Sequence, residues 1–108
     1  MTDRKHFFGI IKPVREDFIT NPTEEDNKIM AEHFQYLKDL LANGKLVLAG
    51  PILNERKPMG IIIFECDTIE EAKEYLENDP SIKAKIQKIK KLEPFKLSLY
   101  QKTDYLIP

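Results

Sequence analysis

Apolar positions along the chain follow two alternating periods. Residues 6–12 read HFFGIIK, a run dense in aromatic and β-branched side chains that stops at Pro13, as a strand does. Residues 13–22, PVREDFITNP, are bounded by two prolines and carry no period, which predicts a loop longer than the usual ~4 to 6 residues. Thr23 and Asp26 then resemble a capping box. After them Ile29, Met30, His33, Phe34, Leu37, Leu40 and Leu41 recur at helical spacing, up to Asn43 and a Gly44 suited to the left-handed position that ends a helix. Residues 45–53 (KLVLAGPIL) and 60–66 (GIIIFEC) read as two strands joined into a hairpin by the polar turn 54–58. Thr68 and Glu71 form a second T-x-x-E box ahead of a shorter helix, whose stripe is Ile69, Ala72, Tyr75 and Leu76 and whose end falls near Asn78. Asp79-Pro80 opens one more helical turn. Phe95, Leu97 and Leu99 alternate with Lys96, Ser98 and Tyr100, which predicts the last strand over 95–100; Ile89 and Leu92 upstream are less regular.

The order β-α-β-β-α-β is that of the ferredoxin-like α+β fold, a four-stranded antiparallel sheet with two helices on one face. A solvated second face calls for polar residues at alternate positions. Instead Phe7, Gly9 and Ile11 oppose Phe8 and Ile10, and Ile61 and Ile63 oppose Ile62 and Phe64, so both faces are apolar. A face of that kind exceeds the ~300 to 600 Å² patch of ordinary monomers, which predicts a homodimer packed through its sheets. Cover by the tail 101–108 of the same chain is the alternative.

With 108 residues, 42% hydrophobic and 32% charged, a single domain spanning 1–108 is expected. Its 17 Lys and Arg against 18 Asp and Glu give a net charge of -1, which removes any global attraction to nucleic acid or anionic membrane. The lysines at 83, 85, 88, 90, 91 and 96 read as a solvated face. The strand GIIIFEC lacks the basic residue and spaced aromatics with which RNA-recognition modules stack bases. Cys66 stands alone, so neither an intrachain disulfide nor a cysteine metal site is expected; it reads as a small buried hydrophobe, suited to a reducing cytosol. No signal-peptide core precedes Pro13, no apolar run approaches the ~18 residues of a membrane span, and a cytoplasmic setting is expected. His6 and His33 show no metal-ligand spacing and no phosphate-binding glycine loop occurs, so neither metal nor cofactor is expected.

His33 sits within the apolar stripe of the first helix, so its ring should face the sheet. There it is either a core histidine satisfied by a backbone carbonyl or a working group. Asp79, ahead of the proline that begins a helix, reads by itself as an N-cap.

The segments EHFQYLKDLLANGKLVLAGPI, DTIEEA, NDP and EPF, in this order, resemble the YCII-related (YciI-like) family over about residues 5–95, leaving 96–108 as a strand extension and tail. The front end, FFGIIKPVREDF, is similar to a branch of that family with a P-x-R-x-x-F loop. The resemblance implies the dimeric α+β barrel form of the fold and a His–Asp pair that maps onto His33 and Asp79. It implies proton-transfer chemistry of lyase or isomerase type on a small, often cyclic substrate, with a non-catalytic ligand-binding or regulatory domain as the alternative. A carboxylate beside an imidazole fixes its tautomer and aims it, which suits general acid–base work. Arg15 and Phe18 in the long loop are placed to clamp an anionic or aromatic substrate, and Tyr36 and the Gly50-Pro51 bend to line its cavity. Two positions depart from the family: Met30 stands where members outside the branch often carry Arg, and Ala84-Lys85 where many have Ala-Gly.

Overall fold

A computed structural model describes residues 5–101. Strand β1 (His6–Pro13) leads through a loop into helix α1 (Glu24–Ala42), followed by β2 (Leu46–Ile52), β3 (Met59–Glu65), α2 (Ile69–Glu77), the single turn α3 (Pro80–Lys83) and β4 (Gln87–Phe95). The four strands form one antiparallel sheet in the order β2-β3-β1-β4, the ferredoxin-like α+β arrangement.

Local chemistry sets the ends of these elements. Thr23 and Asp26 close a complete capping box at α1, and Gly44, at φ 74°, supplies the left-handed residue after it. At α2 only half of the expected box forms. Thr68 accepts from the Glu71 N–H at 3.1 Å, but the Glu71 carboxylate takes the Tyr75 hydroxyl at 2.6 Å and the Asp67 N–H at 3.4 Å. These contacts hold the Glu71 carboxyl below its ordinary range, the Tyr75 hydroxyl first among them, and the same bond pushes the Tyr75 phenol upward.

The last strand lies earlier than the 95–100 alternation predicts: it ends at Phe95, and 96–101 carry no regular structure, with Leu99 93% exposed. A bulge explains the difference. Ile10 faces Lys91 while Ile11 faces Ile89, so Lys90 is an extra residue, and Ile89 and Leu92 reach the same face at a spacing of three instead of two. Both pack on the core formed by Phe7, Ile11, Leu46, Ile62 and Phe64 of the sheet with Leu37, Leu40, Ala72 and Leu76 of the helices. A second bulge, at Val47, turns Leu46 into this core and Leu48 to the other side.

Among the described residues that other face carries no helix. Phe8, Ile10, Ile61 and Ile63 share it, and the Phe8 and Phe95 rings meet there at 6.1 Å between centroids. Of the tail 101–108, named above as an alternative cover, 102–108 lie outside the described residues.

Candidate active site

Helix α1 crosses beside β2 and α3, and this crossing brings the middle of α1 to the start of α3. Leu37 and Leu40 anchor α1 to the core, which fixes the rotation of the helix and presents His33, one turn before Leu37, to the N-terminus of α3. Asp79 is the N-cap there, with Pro80 in the first turn, and it is 0% exposed.

The Asp79 carboxylate has two tasks. Oδ1 accepts the backbone N–H and the hydroxyl of Ser81, each at 2.8 Å, and Oδ2 lies 2.7 Å from His33 Nδ1. Cap and imidazole partner, taken as alternatives in the sequence, are therefore one residue. The His33 ring has a carboxylate partner rather than the backbone carbonyl of an ordinary core histidine. Because an ionised carboxylate only accepts, Nδ1 carries the proton, and the lone pair of the neutral ring sits on Nε2. Nε2 has no partner among the described residues, and no buried side-chain nitrogen or oxygen lacks one, so this atom is open. It opens on a trough bordered by Phe18, Met30, Phe34, Leu37 and Gln87, which extends to Leu48, Ile61, Ile63 and Phe95 of the opposite face of the sheet and measures about 1280 Å³ in all.

The other sequence-predicted site residues separate into two groups. Phe18, Gly50 and Pro51 border the trough with His33. Gly50 and Pro51 are consecutive on the edge strand β2 and point to opposite faces, Gly50 opposite Ile61 and Pro51 opposite Gly60; nothing lies within 4 Å of where a Gly50 side chain would begin. Arg15 and Tyr36 do not border it. The Arg15 guanidinium is bound to Asp26 Oδ2 at 2.6 Å, to Asp17 and to the Asn21 carbonyl, with its carbon 5.8 Å from the Phe18 ring centre. It braces the loop against the cap of α1. Tyr36 donates to the Tyr75 carbonyl at 2.7 Å, and its phenol is pushed up to about 12, by burial first and then by the charges of Asp79 and Glu74.

Both departures from the resembling family now have locations. Met30 lines the trough one turn before His33, so the wall is apolar where an Arg would be charged. Lys85 is exposed at φ 62°, directly after α3, in the left-handed region that favours glycine. Sequence reasoning missed Ser81 and Gln87. Ser81 is readable, after the fact, as the residue whose N–H an Asp N-cap seeks; Gln87 has no local signal. Cys66 is buried, its thiol donates to the Thr68 carbonyl at 3.4 Å, and burial pushes its pKa up, the reverse of an activated nucleophile. Among the described residues no three His, Cys, Asp or Glu side chains gather as a metal site, and no helix is long and apolar enough to cross a membrane.

The model of the YCII-related domain matches residues 7–96. No curated protein sequence matches the chain. Among solved structures, 5-chloro-2-hydroxyhydroquinone dehydrochlorinase (TftG) of Burkholderia phenoliruptrix, in complex with 2,5-dihydroxybenzoquinone, is similar at a TM-score of 0.59 and 22% identity, covering 85% of this chain and 93% of that one. The structural-genomics protein YjcS is similar at 0.52 and 18% identity, covering 89% and 100%. At these identities the likeness is one of fold.

Proposed function

The chain belongs to the YCII-related domain family, and on that premise we propose that it is a small-molecule enzyme of lyase or isomerase type in which His33 moves a proton. The observation that carries this reading is the His33–Asp79 pair, with Nδ1 tied to a buried carboxylate and Nε2 open to the trough. Asp79 orients the ring and stabilises the imidazolium formed when Nε2 accepts a proton. The largely apolar wall, with Phe18 and Phe34, suits a small ring, and the dehydrochlorinase named above acts on such a compound. Removal of a proton from a ring carbon or ring hydroxyl is the step this pair is built for.

A second copy of the chain covers the helix-free face in this proposal. Phe8, Ile10 and Ile61, each half-buried, form its centre, and Leu48 and Phe95, 48% and 41% exposed, extend it. A cytoplasmic setting fits the single reduced Cys66.

Thermal shift against a panel of hydroxylated rings and quinones, 2,5-dihydroxybenzoquinone among them, tests the reading, since a ligand of the native state raises the melting temperature by mass action. A ligand that stabilises wild type and exchanges a ring proton with solvent deuterium only when His33 is present supports it. Binding without exchange leaves a ligand-binding domain.

A further inference from the structure

Gln87, the first residue of β4, is 8% exposed and points to the helix side of the sheet opposite Pro13, where it borders the trough with His33. Its Oε1 lies 3.4 Å from Ser81 Oγ, and Ser81 Oγ lies 3.4 Å from His33 Nδ1. The amide and the imidazole therefore flank one hydroxyl and reach the trough side by side. The other end of the carboxamide, Nε2, has no partner among the described residues, and since no buried side-chain nitrogen or oxygen lacks one, Nε2 is open. Ser81 has one hydroxyl proton and gives it to Asp79 Oδ1 at 2.8 Å, so the Gln87 carboxamide has no short hydrogen bond at either end. A nearly buried amide of this kind is unfavourable against an apolar side chain of the same shape, and packing alone does not call for glutamine here.

We propose that Gln87 is a substrate-contacting residue whose Nε2–H donates to a ring oxygen of the ligand while His33 Nε2 faces the proton to be removed. This rests on the functional reading above and deepens it by naming the ligand class: a ring bearing a carbonyl, enolate or phenolate oxygen conjugated to the position that loses its proton. The proton passes from substrate to His33 Nε2, and the electron pair it leaves is delocalised onto the oxygen that Gln87 holds. Asp79 balances the imidazolium. Donors aimed at the atom where charge develops act more strongly in the transition state than in the ground state. Ser81 steadies the Asp79 arm, donating its hydroxyl proton to Oδ1 at 2.8 Å, and its oxygen stands 3.4 Å from the inner end of the Gln87 amide.

The test uses calorimetric titration of 2,5-dihydroxybenzoquinone into wild type and three variants whose folding is checked by melting temperature. Gln87→Met keeps the shape without the donor and is expected to weaken binding roughly tenfold. Gln87→Glu, which offers only acceptors, is expected to bind more weakly still. His33→Phe removes the partner arm and is expected to weaken binding as well. Unchanged affinity in Gln87→Met, or Gln87→Glu binding as well as wild type, overturns the assignment of Gln87 and leaves the reading of His33 in place. Absence of binding to wild type overturns that reading and this inference with it. In ligand-free protein the Gln87 carboxamide protons are expected to exchange with water like surface amides; strong protection shows a sealed side chain and overturns the inference without any variant.

Discussion

Oδ2 of Asp79 stands 2.7 Å from Nδ1 of His33, and Oδ1 of the same carboxylate receives two donors from Ser81. Replacing Asp79 with Asn separates the two tasks. The Asn oxygen satisfies Ser81 and keeps the cap, because Asn caps about as well as Asp. Its NH2 group then stands in place of Oδ2, 2.7 Å from Nδ1, and needs an acceptor there. The retained oxygen, 2.9 Å from Nδ1, is taken up by the two Ser81 donors, so the ring proton is expected to move to Nε2. Nitrogen-15 NMR of the His33 ring should show the Nε2–H tautomer in Asp79→Asn and the Nδ1–H tautomer in wild type, and any general-base activity should fall by about 10²- to 10⁴-fold. Asp79→Ala, which removes cap and buried partner together, should lower stability by about 3 kcal/mol. An unchanged tautomer in Asp79→Asn reduces Asp79 to a cap.

The element order, the helix stripes apart from Phe34 and Leu41, which stay 57% and 42% exposed, and the His33–Asp79 pair were legible in the sequence because each has a local signature: a period, a cap or a resembling motif. What failed to show was nonlocal. Lys90 bulges out of β4 only in relation to Ile10 and Ile11, so the period of two vanished there and the better alternation over 95–100 attracted the strand. Arg15 reads in the sequence as a clamp for substrate because nothing local says that the loop folds back onto Asp26. Gln87 reaches the site only because β4 returns beside α3.

Arg15 and Asp26 should govern acid stability rather than ligand binding. The Asp26 carboxyl is held below its ordinary range, by Arg15 first and then by the Thr23 N–H at 2.9 Å. A depressed carboxyl contributes stability that is present above its unfolded pKa of about 3.9 and is lost as pH falls through the lower folded value. The advantage of wild type over Asp26→Asn in urea unfolding is therefore expected to be full at pH 6 and to shrink below about pH 4. Arg15→Gln should remove much of that advantage and leave ligand affinity within about twofold, because the guanidinium is already occupied. Loss of affinity in Arg15→Gln at unchanged stability would return Arg15 to the ligand.

Lys85 at φ 62° gives a prediction of opposite sign. A non-glycine residue in the left-handed region is strained by about 1 to 2 kcal/mol, and glycine gives back roughly 0.5 to 1 kcal/mol of that through its freer unfolded chain. Lys85→Gly should raise stability by about 0.5 to 1 kcal/mol with no change in ligand affinity, as measured by urea unfolding and titration. Equal or lower stability would show that the Lys85 side chain contributes a compensating contact.

The helix-free face supplies the last prediction. Ile10 lies at its middle, opposite Ile61 on one side and Lys91 on the other, and contributes nothing to the core beneath the helices. An apolar face of this extent is stable in water when a second copy covers it, and interfaces that hold at micromolar concentration typically bury about 1,200 to 2,000 Å² in total. Sedimentation equilibrium of wild type at micromolar concentration should give twice the mass of one chain. Ile10→Glu adds a carboxylate where the two sheets would meet. Lys91 opposite it is already paired with Glu93 at 3.6 Å, so the added charge is uncompensated and burying it is unfavourable enough to separate them. That variant should sediment as a single chain while its circular dichroism keeps the α+β spectrum, since the substituted side chain points away from the core. A wild type that sediments as one chain, or an Ile10→Glu variant that stays paired, would mean that something other than a second sheet lies on this face.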